Sequence, residues 1–82
     1  MKKILIFGAG SIGNHMTYAC TKLGYKVFVT DISNEALLRM KNYLYPLRYK
    51  KWNNKIHLVN YSEIRKLNYF FDLVIIGTPP NT

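Results

Sequence analysis

Apolar and polar positions change rhythm several times along this chain. Lys3–Phe7, KILIF, is a short apolar run closed by glycine, the pattern of a strand buried on both faces. From Ser11 to Leu23 the rhythm becomes helical. Ile12, Met16, Ala19, Cys20 and Leu23 recur along one predicted face, and Gly24 follows as a C-terminal cap. Tyr25–Asp31, YKVFVTD, is rich in β-branched and aromatic residues and predicts a second strand. Ser33 then caps a helix in which Ala36, Leu37, Met40 and Leu44 share a face, and Pro46 ends or kinks it. KIHLVN, Lys55–Asn60, predicts a third strand, and YSEIRKL, Tyr61–Leu67, a short helix with Ser62 as candidate cap. FDLVIIG, Phe71–Gly77, is the fourth strand, again apolar on both faces and stopped by Thr-Pro-Pro.

Strands alternating with helices, and strands apolar on both faces, predict an α/β fold with a parallel sheet and right-handed crossovers. The expected sheet has about four strands in order 3-2-1-4, the first half of a doubly wound fold. In that topology the first two crossover helices cover one face, and only the helix after the third strand covers the other. Much of the second face, and the free edge of the fourth strand, should therefore lie bare.

Composition narrows the class. The chain has 82 residues, 49% hydrophobic and 20% charged, which describes one small globular domain rather than a disordered segment. A domain of this size buries only about 60–65% of its unfolded surface, so its stability is expected to be marginal. No run approaches the ~20 apolar residues of a membrane helix. MKKILIF ahead of Cys20 imitates an exported leader, but three glycines, Asn14 and His15 break its apolar core. A single cysteine allows no internal disulfide, and the expected location is cytoplasmic.

The formal charge is +8, and its densest stretch is Arg39–Lys55, which has no acid and has aromatics between the bases. Such a stretch can bind nucleic acid through phosphate contacts and base stacking. The alternative, favoured here, is the solvated end of a helix and a loop whose tyrosines cover the sheet edge.

GAGSIG, Gly8–Gly13, has the spacing GxGxxG between a strand and a helix, the context that gives this motif its force. Gly8 would allow the tight turn, Gly10 the approach of a pyrophosphate to the backbone, and Gly13 close packing of helix on strand. The N–H groups of Ser11 and Ile12, at the helix start, would meet the negative charge. Asp31 ends the second strand 18 residues past Gly13, where an acid accepts hydrogen bonds from an adenosine ribose. Its carboxylate would repel the extra phosphate of NADP, and DISNE offers no arginine to receive one, so NAD is the expected cofactor over NADP. A P-loop is excluded because no Gly-Lys-Ser/Thr follows. Thr78, Pro79 and Pro80 fall just past the fourth strand, beside the first, where ligands bind in this topology. The whole, residues 1–82, is read as a partial dinucleotide-binding Rossmann domain.

Taken together, KILIFGAGSIGNHM, LGYKVFVTD and FDLVIIGTPPNT resemble the N-terminal domain of the glucose–fructose oxidoreductase and inositol dehydrogenase family, Gfo/Idh/MocA. The resemblance spans almost the whole chain. It implies an NAD(P)-dependent oxidoreductase acting on a sugar, cyclitol or related polyol. The matched cofactor positions are Gly8, Gly10, Ser11, Ile12, Gly13 and Asp31, with Thr78, Pro79 and Pro80 towards the nicotinamide. His15 matches the family pattern, but its place on the predicted helix is that of a packing residue rather than a catalyst. The family's Glu-Lys-Pro segment and C-terminal substrate domain have no counterpart here, so no catalytic residue is carried over. A second copy, or the C-terminal domain, would cover the open sheet face.

The residues themselves give the same answer on catalysis. Hydride transfer needs a group within hydrogen-bond reach of the reacting hydroxyl. The acids are Asp31, Glu35, Glu63 and Asp72, and none is expected in the crevice near the nicotinamide; His57 is mid-strand. Two other functions share parts of the pattern: a regulatory NAD-sensing module, in which binding shifts a conformational equilibrium, and nucleic-acid binding through residues 39–55.

Overall fold

A computed structural model describes residues 2–66 and 71–77. Four strands, β1 (Lys3–Phe7), β2 (Lys26–Asp31), β3 (Ile56–Asn60) and β4 (Leu73–Ile76), form one parallel sheet in the order β3-β2-β1-β4. The expected topology is therefore the observed one. Helix α1 (Ser11–Lys22) joins β1 to β2. A longer helical run joins β2 to β3: α2 (Asn34–Arg39), a π turn (Met40–Leu44) and α3 (Tyr45–Tyr49). A 3-10 helix, Tyr61–Lys66, follows β3.

Register divides the strand residues between two faces. Ile4, Val27 and Ile56 form one rung, and Ile6, Val29 and Leu58 the next. These residues pack with Leu37, Met40 and Tyr45 from the helical run and with Cys20 from α1, making the main core. On the other face Leu5 and Phe28 are also buried. Phe28 lies against the His57 ring at 5.2 Å and the Phe71 ring at 5.4 Å, and Tyr61 of the 3-10 helix meets Phe7 edge-on at 6.1 Å. Among the described residues the second face is thus covered at its centre and bare towards β4, where Val74 and Ile76 are exposed. Leu73, on the helix side of the same strand, is exposed as well. The centre departs from the expected bareness because a few aromatic rings cover it.

Two local expectations change, and a third, that Pro46 ends or kinks its helix, is narrowed to the second alternative. In α1 the predicted face included Ile12 and Leu23, yet they are 61% and 67% exposed. The buried residues are Gly13, Asn14, Thr17, Cys20 and Thr21. Close packing at Gly13 turns the helix so that small side chains, not its large apolar ones, meet the sheet. Thr17 tolerates this position because its Oγ1 donates to the Gly13 carbonyl at 2.7 Å.

Pro46 does not end the second helix. The run continues through α3 to Tyr49, and Lys50 stops it at φ 70°. Proline lacks the N–H that would reach back four residues, and its ring crowds that carbonyl. The wider π turn immediately before α3 accommodates both effects. Ser33 caps the start of the run as expected, its Oγ accepting from the Ala36 N–H at 3.2 Å. The segment after β3 winds as a 3-10 helix that begins at Tyr61, so Ser62 lies inside it rather than capping it.

Candidate dinucleotide site

Parallel strands bring the residues at their carboxyl ends to one edge of the sheet. Phe7 pairs with both Thr30 and Ile76, and Asp31 pairs with Asn60. The chain leaves β1 through Gly8, whose φ of 112° is open to glycine and strained for any side chain. Gly8 N–H donates to the Thr30 carbonyl at 2.8 Å, which holds the turn against β2.

Helix α1 then starts at Gly10, which serves as N-cap without a side-chain partner. Asn14 N–H donates to the Gly10 carbonyl at 2.8 Å, the first bond of the helix. The preceding N–H groups, those of Ser11, Ile12 and Gly13, precede any intrahelical acceptor, and no acid occupies the first turn. That end of α1 carries the positive pole of the helix.

The other two motif glycines do different jobs. A Cβ on Gly13 would collide with the Gly8 carbonyl oxygen, so this position sets how closely α1 meets the turn. A Cβ on Gly10 would meet nothing within 4 Å, leaving open space over the turn beside the free N–H groups. That space fits an anionic group laid against the backbone.

Asp31 closes the arrangement from β2. Its Oδ2 accepts from the Ala9 N–H at 2.9 Å and its Oδ1 from the Ser33 N–H at 2.9 Å. Each oxygen keeps lone-pair capacity for a ligand hydroxyl. Gly8, Gly10, Ser11, Ile12, Gly13 and Asp31 are therefore gathered at one place. Thr78, Pro79 and Pro80 lie outside the described residues. His15 is exposed on α1, its Nδ1 sharing a hydrogen bond with Tyr49 Oη at 2.9 Å.

Two contributors escaped the sequence reading. The Ala9 N–H, a backbone group at a position that any residue could fill, donates to the Asp31 carboxylate. Gly77 also matters: it donates to the Phe7 carbonyl at 2.7 Å, and a Cβ there would lie 3.2 Å from Gly13 N. Its place directly after an apolar strand was the available signal.

The family described as 3-hydroxyacyl-CoA dehydrogenase, NAD binding domain, matches residues 3–67. The chain belongs to this family. The glycine turn, α1, β2 and Asp31 all lie within the matched span, and the membership supports NAD as the cofactor. Oxidoreductase chemistry follows at the level of the family, whereas the match does not extend to Gfo/Idh/MocA. No curated protein matches the chain.

Elsewhere, Tyr18 and Tyr49 stack at 3.8 Å, and Tyr45 packs edge-on against Trp52 at 5.1 Å. Tyr45, Tyr49 and Trp52 of the basic segment thus pack on one another and on the core, while Tyr43 is exposed. Burial raises the Cys20 thiol and the Tyr45 phenol above their ordinary pKa values. Among the described residues no group of three or more His, Cys, Asp or Glu could hold a metal, and no helix is long and apolar enough to cross a membrane.

Proposed function

We propose that this chain is the NAD-holding unit of a dehydrogenase, gripping the dinucleotide at Gly8–Gly13 and Asp31. The observation that carries this reading is the open space over Gly10 beside the unpaired N–H groups of α1, with Asp31 anchored next to it. The Gly10 backbone and the Ser11 and Ile12 N–H groups would receive the pyrophosphate, and Asp31 the adenosine ribose hydroxyls. Thr78, Pro79 and Pro80 would stand towards the nicotinamide. NAD, when bound, supplies hydride acceptance; the chain's own residues bind and orient it.

Family membership favours a 3-hydroxyacyl thioester as the alcohol substrate. A sugar, cyclitol or other polyol is the second reading, and the sequence GTPP after the fourth strand favours it. In either case the group that takes the hydroxyl proton would come from a substrate-binding domain, packed over the exposed residues of β4 or supplied by a second copy. A lone, buried cysteine suits a cytoplasmic setting.

The reading is tested by titrating the purified chain with NADH and following cofactor fluorescence. Saturable enhancement, competed by NAD and weakly by NADP, is expected. A folded chain that leaves NADH fluorescence unchanged would remove the binding claim.

A further inference from the structure

The basic segment meets the end of α1 in an open cleft with a volume of about 450 Å³. The cleft lies at the edge of the sheet where strands begin. Lys55, one of its lining residues, directly precedes β3, and its carbonyl accepts from the Val27 N–H of β2 at 3.0 Å. The glycine turn and Asp31 lie at the opposite edge, where β1 and β2 end. None of the cleft's described lining residues belongs to that turn.

Aromatic rings and cations line it together. Tyr18 and Tyr49 form one stacked wall, and Trp52, braced by Tyr45, forms another. Lys22, Lys51 and Lys55 add exposed positive charge, and no acid stands among the described lining residues. Sequence neighbours do not offset that charge: α1 has no acid, nor has the chain from Ala36 to Ser62. The loop that presents Trp52 and two of these lysines is held in place. Asn53 Oδ1 accepts from the Lys55 N–H at 2.8 Å, and the Asn53 carbonyl accepts from the Ile56 N–H at 3.0 Å.

Two ammonium groups stand over the rings at the outer limit of cation–π contact. Lys22 Nζ lies 5.8 Å from the Tyr18 centroid, and Lys41 Nζ 5.9 Å from the Trp52 ring. Cations held this loosely on long side chains can give way to a planar group.

Positive charge interleaved with aromatic rings suits a ligand whose phosphates alternate with planar bases. We infer that this cleft binds single-stranded nucleic acid, with a base against Trp52 and flanking phosphates on Lys22, Lys51 and Lys55. A duplex suits it less, because its bases are already stacked and offer no free face. Inorganic polyphosphate or an acidic peptide would meet the lysines and leave the rings unused. The stretch Arg39–Lys55 thereby gains a role that dinucleotide binding does not use.

Trp52 is the chain's single tryptophan, so its fluorescence reports the cleft. The test titrates the full chain with an oligothymidylate of about eight nucleotides, within the usual site size of single-strand binders. Saturable quenching is expected, with affinity falling roughly 20-fold between about 50 and about 200 mM salt, as three neutralised phosphates require. Duplex DNA and inorganic polyphosphate should each bind at least roughly tenfold more weakly. The double variant Lys51→Gln, Lys55→Gln, changed only at exposed positions, should lose about tenfold in affinity and show a shallower salt dependence. Gly10→Ala, at the dinucleotide turn, should leave this titration unchanged. Absent quenching, salt-independent binding, equal affinity for polyphosphate or duplex, tighter binding of an acidic tyrosine-containing peptide, an unaltered lysine variant, or loss in Gly10→Ala would overturn the inference.

Discussion

The Asp31 carboxylate accepts a hydrogen bond from the Ala9 N–H at 2.9 Å, tying the end of β2 to the turn that follows β1. An acid at this place is ordinarily discussed for what it offers a ribose. Here it also fixes the loop that would hold the pyrophosphate, so in the proposed grip one side chain would serve both halves. Asp31→Ala removes the acceptor for two N–H groups, Ala9 and Ser33. The expected loss is about 2 kcal/mol in denaturant unfolding, together with weaker NADH binding. Asp31→Asn, which keeps one acceptor oxygen, should fall between. A wild-type unfolding midpoint in Asp31→Ala would show that the carboxylate does not hold the turn.

The same carboxylate should discriminate between cofactors. A 2′-phosphate placed beside Asp31 meets a like charge with no arginine in DISNE to offset it. Competition titrations should therefore find NADP roughly tenfold or more weaker than NAD. Equal affinities would mean that the ribose does not lie at Asp31.

Gly13 and Gly10 should part company under mutation. A methyl on Gly13 collides with the Gly8 carbonyl, so Gly13→Ala is expected to lose about 3 kcal/mol of stability and to melt markedly lower. Gly10→Ala meets open space at an unstrained φ of −81°, and its melting temperature should stay close to wild type. Thermal unfolding followed by circular dichroism separates the two outcomes.

These contrasts show what was legible in the sequence. Strand order and the glycine turn could be read because apolar runs such as KILIF and KVFVTD leave little choice of partner or face. The buried face of α1 could not. It is set by the close approach at Gly13, a steric fact of three dimensions, and not by where Ile12 and Leu23 recur. The π turn escaped for a similar reason: Pro46 announces a disturbance but does not say whether the helix stops or widens. Asp31 was legible as the acid that ends the second strand, but its bond to Ala9 was not, since a backbone N–H has no signature in sequence.

Alkaline pH should weaken the fold. Burial raises the Cys20 thiol and the Tyr45 phenol in the folded state, so both groups hold their protons more tightly folded than unfolded. Stability from them is complete below their unfolded values, about 8.5 and 10, and is lost as pH rises through the higher folded ones. Denaturant midpoints should decline progressively above about pH 8.5, and Cys20→Ser should lose the earlier part of that decline. A flat profile from pH 8 to 11 would contradict the burial of both groups.

The central claim is that the open backbone at Gly10 receives the dinucleotide, and NADH fluorescence titration of wild type beside Gly10→Ala tests it most directly. Saturable binding by wild type, weakened roughly tenfold or more in a Gly10→Ala chain of unchanged melting temperature, is the predicted result. Equal NADH affinity in the two proteins would contradict it, because the cofactor would then not approach the backbone at Gly10.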